Sequence, residues 1–330
     1  MFEIIFNSTL SQLIVMILFI VAGFILKKTN VLKDGALGVL SKLVTYLFLP
    51  AVLVNSFMTQ FTVDNLSLYG EVLLFSLVVS MVTIPLGLLL GKLLVKNDDF
   101  LKKIYQYGFI YSNFTYIGIP LIQAIAPEFE MHYLIFTIIP QFCFALWALP
   151  ELLIPKAEET EEEKKTFSQS VVIYLKRLLT PIFIGLFIGI ILGLTGLGQI
   201  LPQFLTTTIK QASGCMSVTA MLLTGVVIAS YNIKDILVDY KIYIASVLRL
   251  IAIPLVLGFL LKLIMIITGL ESDYMMLILL VYTAMPLGLN TVIIPSAYGK
   301  ETSSAAGMAL VSHIIGIISM PLVIALMMLL

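Results

Sequence analysis

Two short stretches carry the side chains best suited to chemistry. In Ser112-Asn113-Phe114-Thr115-Tyr116-Ile117-Gly118-Ile119-Pro120, an amide, hydroxyls, a glycine and a proline interrupt an otherwise apolar run. Met285-Pro286-Leu287-Gly288-Leu289-Asn290-Thr291 does the same near the other end of the chain, with Pro295 following. No convergent nucleophile and base can be assembled from the sequence, so an enzyme is not expected; what these residues offer is recognition. A helix broken inside an apolar segment exposes N–H groups at the start of its second half and carbonyls at the end of its first, a fixed positive and a fixed negative pole. Half-helices beginning near Pro120 and Thr291 would aim their positive ends at one central region, where an organic anion fits without a dedicated basic residue. Asn113, Thr115 and Asn290 would replace lost hydration, and Gly118, Pro120, Pro286, Gly288 and Thr291 complete the expected substrate-binding set.

The elements that must position these residues are membrane helices. Of 330 residues, 60% are hydrophobic and 12% charged, and the mean hydropathy is +1.09, the composition of a polytopic membrane protein. The net charge of zero and pI of about 6.7 give no bias toward nucleic acid. Ten spans fit, at about 8 to 27, 37 to 58, 71 to 95, 105 to 126, 131 to 155, 171 to 193, 203 to 230, 240 to 268, 274 to 298 and 302 to 329. Each approximates the ~20 residues that a ~30 Å hydrocarbon core requires. The interrupted stretches fall in the fourth and ninth.

Charge placement gives an independent test. With loops on alternating sides, one side receives sixteen Lys and Arg residues, from Lys27 and Lys28 to Lys300, and the other only Lys210 and Lys262. The positive-inside rule then sets the protein in the plasma membrane with both termini outside the cytoplasm. Met1-Phe2-Glu3-Ile4 lacks a positive n-region, so the first apolar run reads as a spanning helix rather than a cleaved signal peptide. The acidic stretch 156–170, with Glu158, Glu159, Glu161, Glu162 and Glu163, reads as a cytoplasmic tether between halves 1–155 and 171–330.

An internal repeat supports that division. Ile84-Pro85-Leu86 with Gly87 and Lys92-Leu93 in the third span is echoed by Ile253-Pro254-Leu255 with Gly258 and Lys262-Leu263 in the eighth. Five spans per half, an odd number, invert the second half relative to the first, an arrangement used by alternating-access carriers.

Three further residues qualify as charge partners or coupling groups: Arg249, His313 and Gln123. Arg249, deep in the eighth span, needs a partner or water, because an unpaired charge at the bilayer centre costs at least ~2.5 kcal/mol. It either meets a substrate carboxylate or binds carbonyls at a broken helix. His313 in the last span could relay a proton or serve as a hydrogen-bonded packing residue. Gln123, Thr45 and Asn55 could line a cavity or bond between helices. None of the nineteen Asp and Glu residues falls in the central third of a span, which argues against sodium/proton antiport. No cofactor is expected, although sodium could bind carbonyls at the breaks together with Asn, Thr or Gln123. Cys143 and Cys215 support neither a disulfide nor a metal site, and no nucleotide-binding loop or metal-ligand spacing occurs.

The fourth-span sequence YSNFTYIGIP, with Asn113, Gly118 and Pro120, and the ninth-span AMPLGLN, with Asn290, resemble the auxin efflux carrier family. Leu49-Pro50-Ala51 and Arg249-Leu250 with Pro254 also match its habits, and the resemblance covers essentially the whole chain. That family includes the plant PIN-FORMED carriers and bacterial permeases for malonate or malate; the short acidic tether favours the compact bacterial branch. The resemblance implies a fold shared with bile-acid-type sodium symporters and sodium/proton antiporters. Spans one, two, six and seven would form a scaffold and the other six a moving transport domain with crossed broken helices. The expected function is secondary transport of a small organic anion, a mono- or dicarboxylate, by an elevator-type movement. A sodium-coupled solute symporter and a ligand receptor using the same pocket are the alternatives. Expected partners are the anion, the lipid bilayer and a second copy held through the scaffold helices, with no nucleic acid.

Overall fold

The computed structural model describes residues 2–154, 176–232, 237, 239–269, 272–298, 300 and 302–329. The stretch 156–170, read above as a tether, lies outside the described residues. Among the described residues the main helices are α1 (Phe2–Lys28), α2 (Ala36–Gln60), α3 (Leu66–Leu94), α4 (Asp99–Ile110), α5 (Phe114–Ile125), α6 (Pro127–Leu153), α7 (Pro181–Leu194), α8 (Gln203–Ala229), α9 (Tyr240–Thr268), α10 (Asp273–Thr283), α11 (Asn290–Ala297) and α12 (Ser303–Leu329). Among the described residues, seven helices are long and apolar enough to cross a membrane, and three shorter apolar helices accompany them. The chain is an all-helical polytopic membrane protein.

Two expected spans are split. The segment expected at 105 to 126 is α4 plus α5, and that expected at 274 to 298 is α10 plus α11. The first also starts earlier than its hydropathy indicates, because the Asp98 carboxylate accepts from the Leu101 N–H at 2.8 Å and caps a polar first turn that includes Lys102 and Lys103. α7 begins at Pro181, after helical residues at 176–178, and the expected start at 171 lies outside the described residues; the proline occupies the first turn, where its missing N–H costs nothing.

Three prolines are accommodated in the same way. Wide π turns at Val44–Phe48, Phe114–Gly118 and Leu248–Ala252 each end two residues before a proline, Pro50, Pro120 and Pro254. In a regular helix the proline ring collides with the carbonyl four residues back. Widening the preceding turn moves that carbonyl aside, and before Pro50 and Pro254 the preceding residue bonds five residues back where the ladder resumes, Leu49 N–H to Val44 O and Ile253 N–H to Leu248 O.

Small residues set the closest packing. α1 runs along α8 with Gly23 against the Leu222 backbone and Gly225 against the Ile20 and Phe24 backbone. α2 runs along α7, where Gly185, Gly189 and Gly193, spaced four apart, rest on Pro50, Leu53 and Phe57. Lipid gives apolar helices no reason to pair, so backbone approach through such stripes supplies the contact energy. α3 uses Gly87 and Gly91 in the same way against Ile110 and Gln106 of α4.

Candidate functional site

The two breaks cross. After α4 ends, Tyr111 is extended, and Ser112 pairs antiparallel with Leu287 in the connection between α10 and α11, the one bridge of β type among the described residues. The Asn113 N–H donates to Pro286 O at 2.8 Å. Two serines satisfy what this short pairing leaves over: Ser112 Oγ donates to Tyr282 O at 2.5 Å, and the Leu287 N–H donates to Ser312 Oγ at 3.1 Å. Ser112, Asn113 and Leu287 are buried, so each backbone group freed by the breaks needs such a partner. Gly288 allows the approach, since a Cβ there would stand 3.2 Å from Ser112 O.

The carboxyl ends of both first half-helices meet one cation. Arg249, on the π turn of α9 and only 1% exposed, donates from Nη1 to Phe109 O at 3.1 Å and from Nη2 to Tyr282 O at 3.4 Å. Its planar fork reaches the last turn of α4 and of α10 together, neutralising both negative poles.

The amino ends are placed differently. α5 opens at Phe114, six residues before Pro120, and α11 opens at Asn290. Both face a cavity of about 410 Å³ lined by Ser112 to Tyr116 on one break and by Gly288, Leu289 and Asn290 on the other. That size suits a small organic molecule. α2 contributes Thr45 and Leu49, α7 Ile182 and Phe183, α6 Gln141 and Phe144, and α4 Tyr107. Gln141 Nε2 donates to Thr115 Oγ1 at 3.1 Å and Asn290 Nδ2 to Tyr107 OH at 3.3 Å. Asn113, 3% exposed, has its Nδ2 without a hydrogen-bond partner among the described residues.

Of the residues singled out in the sequence, Asn113, Thr115, Gly288 and Asn290 come together around the cavity, as does Thr45. Gly118 packs against the Tyr133 hydroxyl, which itself donates to Phe114 O at 2.9 Å. Pro120 is buried in the first turn after the π segment, and Thr291 is buried with its hydroxyl turned back to Gly288 O at 2.8 Å. Pro286 lines a separate void of about 20 Å³ with His313, whose Nδ1 lies 2.6 Å from Ala309 O. Gln123 donates to Glu130 Oε1 at 3.0 Å, which also accepts from Ser56 Oγ at 2.5 Å. Arg249 binds carbonyls and is not among the cavity's lining residues. Tyr107, Gln141 and Arg177 line the cavity without having been singled out. Gln141 carried a signal, an amide beside Pro140 in an apolar run; Tyr107 and Arg177 read as an interfacial aromatic and a loop charge.

A family model described as "Membrane transport protein" matches residues 8–324. No curated protein matches the chain significantly. With a match spanning nearly its whole length laid over two interrupted helices that cross beside a cavity, the chain belongs to the auxin efflux carrier family of membrane transport proteins.

Proposed function

We propose that this protein is a secondary carrier for a small organic anion, a mono- or dicarboxylate, held at the crossing of the two broken helices. The observation that carries the reading is the sorting of helix poles. Arg249 occupies both carboxyl ends, while both amino ends, with Asn113 and Asn290, open on the cavity. The remaining field favours negative charge. In this reading α4 with α5 and α10 with α11 each serve as one broken span, giving ten spans in two inverted halves. α1, α2, α7 and α8, tied by their glycine stripes, are the scaffold, and the rest moves against it. The cavity lies between α2 and α7 on one side and α4, α5, α6 and α11 on the other, as alternating access by an elevator movement needs. Sixteen positive charges on one side of the span count support a cytoplasmic placement of that side, in a plasma-membrane protein with both termini outside.

Thermal shift of the purified protein with a panel of carboxylates, followed by counterflow in proteoliposomes, tests the reading. A carboxylate that stabilises the native chain should lose its effect in Asn113→Ala and Asn290→Ala while both variants stay folded. Full stabilisation of both variants by that carboxylate would remove the pocket from the crossing, and binding without counterflow would make the protein a receptor. Counterflow that vanishes when sodium is removed would make it a symporter.

A further inference from the structure

We infer that the Glu130 carboxylate is a releasable latch: it pins the moving helices to the scaffold at the end of their interface remote from the cavity, and so holds one state of the carrier. The inference rests on the carrier reading and adds a conformational device to it. Glu130, in the opening turns of α6, accepts from Ser56 Oγ of α2 at 2.5 Å and from Gln123 Nε2 of α5 at 3.0 Å. One carboxylate thus ties α5 to α6 within the moving body and joins both to a single hydroxyl on the scaffold.

Its place in the interface makes it a latch. α2 and α6 carry the same three layers in opposite chain order. Thr45 and Leu49 of α2 and Gln141 and Phe144 of α6 line the cavity. Leu49 and Gln141 also line, with Leu53, Leu134 and Ile138, a void of about 20 Å³ that continues the cavity along the same interface. Ser56 and Glu130 complete the series. Thr45 to Ser56 and Gln141 to Glu130 are each eleven residues, roughly 16 Å along a helix. The middle layer is mainly apolar, and apolar contact is non-directional, so it lets one helix shift against the other. A hydrogen bond demands a heavy-atom separation of about 3 Å and good alignment, so the Ser56 and Glu130 layer has one register and a shift of the moving body breaks it. The bond is also suited to breaking. Ionised acceptors make it stronger than a neutral pair, yet Glu130 is partly exposed while Ser56 is buried. A carboxylate already in reach of water regains hydration when it lets go, as a fully buried ion would not.

The test follows closure of this end on the full-length protein in proteoliposomes, with Thr137→Cys on the void as reporter and a membrane-impermeant maleimide as probe. Peptide mass spectrometry separates the reporter from the native Cys143 and Cys215, and Ile138→Cys on the same void is the second reporter. With the latch intact the reporter should label slowly. Ser56→Ala should raise the labelling rate about tenfold, and Glu130→Gln, which keeps an acceptor but loses the charge, by less. Gln123→Ala cuts only the tie inside the moving body and should stay within about twofold of the parent. Unchanged labelling in Ser56→Ala would overturn the assignment while leaving carboxylate binding, and with it the carrier reading, untouched. An equal rise in Gln123→Ala would mean a loosened fold and overturn it as well, as would a reporter that labels fast in the parent. Labelling that follows the expected series in a protein that exchanges no carboxylate would keep the latch and remove the carboxylate from the carrier reading.

Discussion

The two breaks use similar residue types but are completed unequally. At the second break the amide of Asn290 is already engaged, donating to Tyr107 OH at 3.3 Å, and the backbone of Leu287 is held by Ser312. At the first, Asn113 uses its backbone N–H on Pro286 O but leaves its Nδ2 without a partner among the described residues. The second break is thus a braced wall and the first holds a polar group in reserve, at the cost of burying it unsatisfied. The carboxyl ends reverse this asymmetry: they share one residue, Arg249, supplied by α9 alone. The position aligned with it in the first half of the chain is Ser80, on a helix that carries Pro85 without a widened turn. A second arginine would have repelled the first in a buried space; one fork spanning two carbonyls serves both breaks.

The largest expected effect comes from removing that shared cation. Arg249→Ala strands the Phe109 carbonyl, leaves Tyr282 O with Ser112 Oγ alone, and deletes two charge-assisted hydrogen bonds, a loss of about 3 to 5 kcal/mol. Thermal unfolding in detergent should show it, and Arg249→Lys should recover only part because an ammonium lacks the planar fork. A stable Arg249→Ala that has lost carboxylate binding would instead place the arginine on the substrate.

Next in size is Gly118→Ala in the first break. An added methyl would collide with the Tyr133 hydroxyl, which holds Phe114 O at the opening of α5, and such overpacking costs about 1 to 3 kcal/mol. Tyr133→Phe alone loses one hydrogen bond, about 1 kcal/mol, yet in the double variant it should relieve much of the clash. A double-mutant cycle that is additive would contradict the contact. Smaller still is Ser312→Ala in the support of the second break. It orphans the buried Leu287 N–H, worth about 1 to 2 kcal/mol by chemical denaturation.

The sequence was legible where composition departs from what a spanning helix tolerates. Asn113, Gly118 and Pro120 in one run and Pro286, Gly288 and Asn290 in another marked both interruptions, and the helices do divide there. The start of α5 was not legible. Pro120 looks like a helix opening, but the π turn Phe114–Gly118 accommodates the ring and moves the opening to Phe114. The cavity wall was only partly legible, because Tyr107 and Arg177 are defined by which distant helix they face, and one chain's periodicity does not say that. Arg249 was conspicuous from its charge, but its two partners are carbonyls of Phe109 and Tyr282, atoms every residue carries and no sequence distinguishes.

The smallest effect on stability should separate the two asparagines most sharply. Asn290→Ala removes a bond to Tyr107 and should cost about 1 kcal/mol, with Tyr107→Phe reproducing that loss because the phenol is the other half of the same pair. Asn113→Ala deletes a side-chain amide nitrogen that has no partner among the described residues, so it should change stability by no more than about 0.5 kcal/mol and could even raise it, since an unsatisfied buried donor is itself unfavourable. On ligand affinity the ranking should invert. If an anion binds at the crossing as proposed, the Asn113 amide would gain a full hydrogen bond whereas that of Asn290 would exchange partners, so Asn113→Ala should weaken carboxylate binding about tenfold or more and Tyr107→Phe should weaken it less. Equal stability losses in the two alanine variants, measured in the same detergent without ligand, would mean that Asn113 is braced like Asn290, and the distinction between a holding break and a receiving break would disappear.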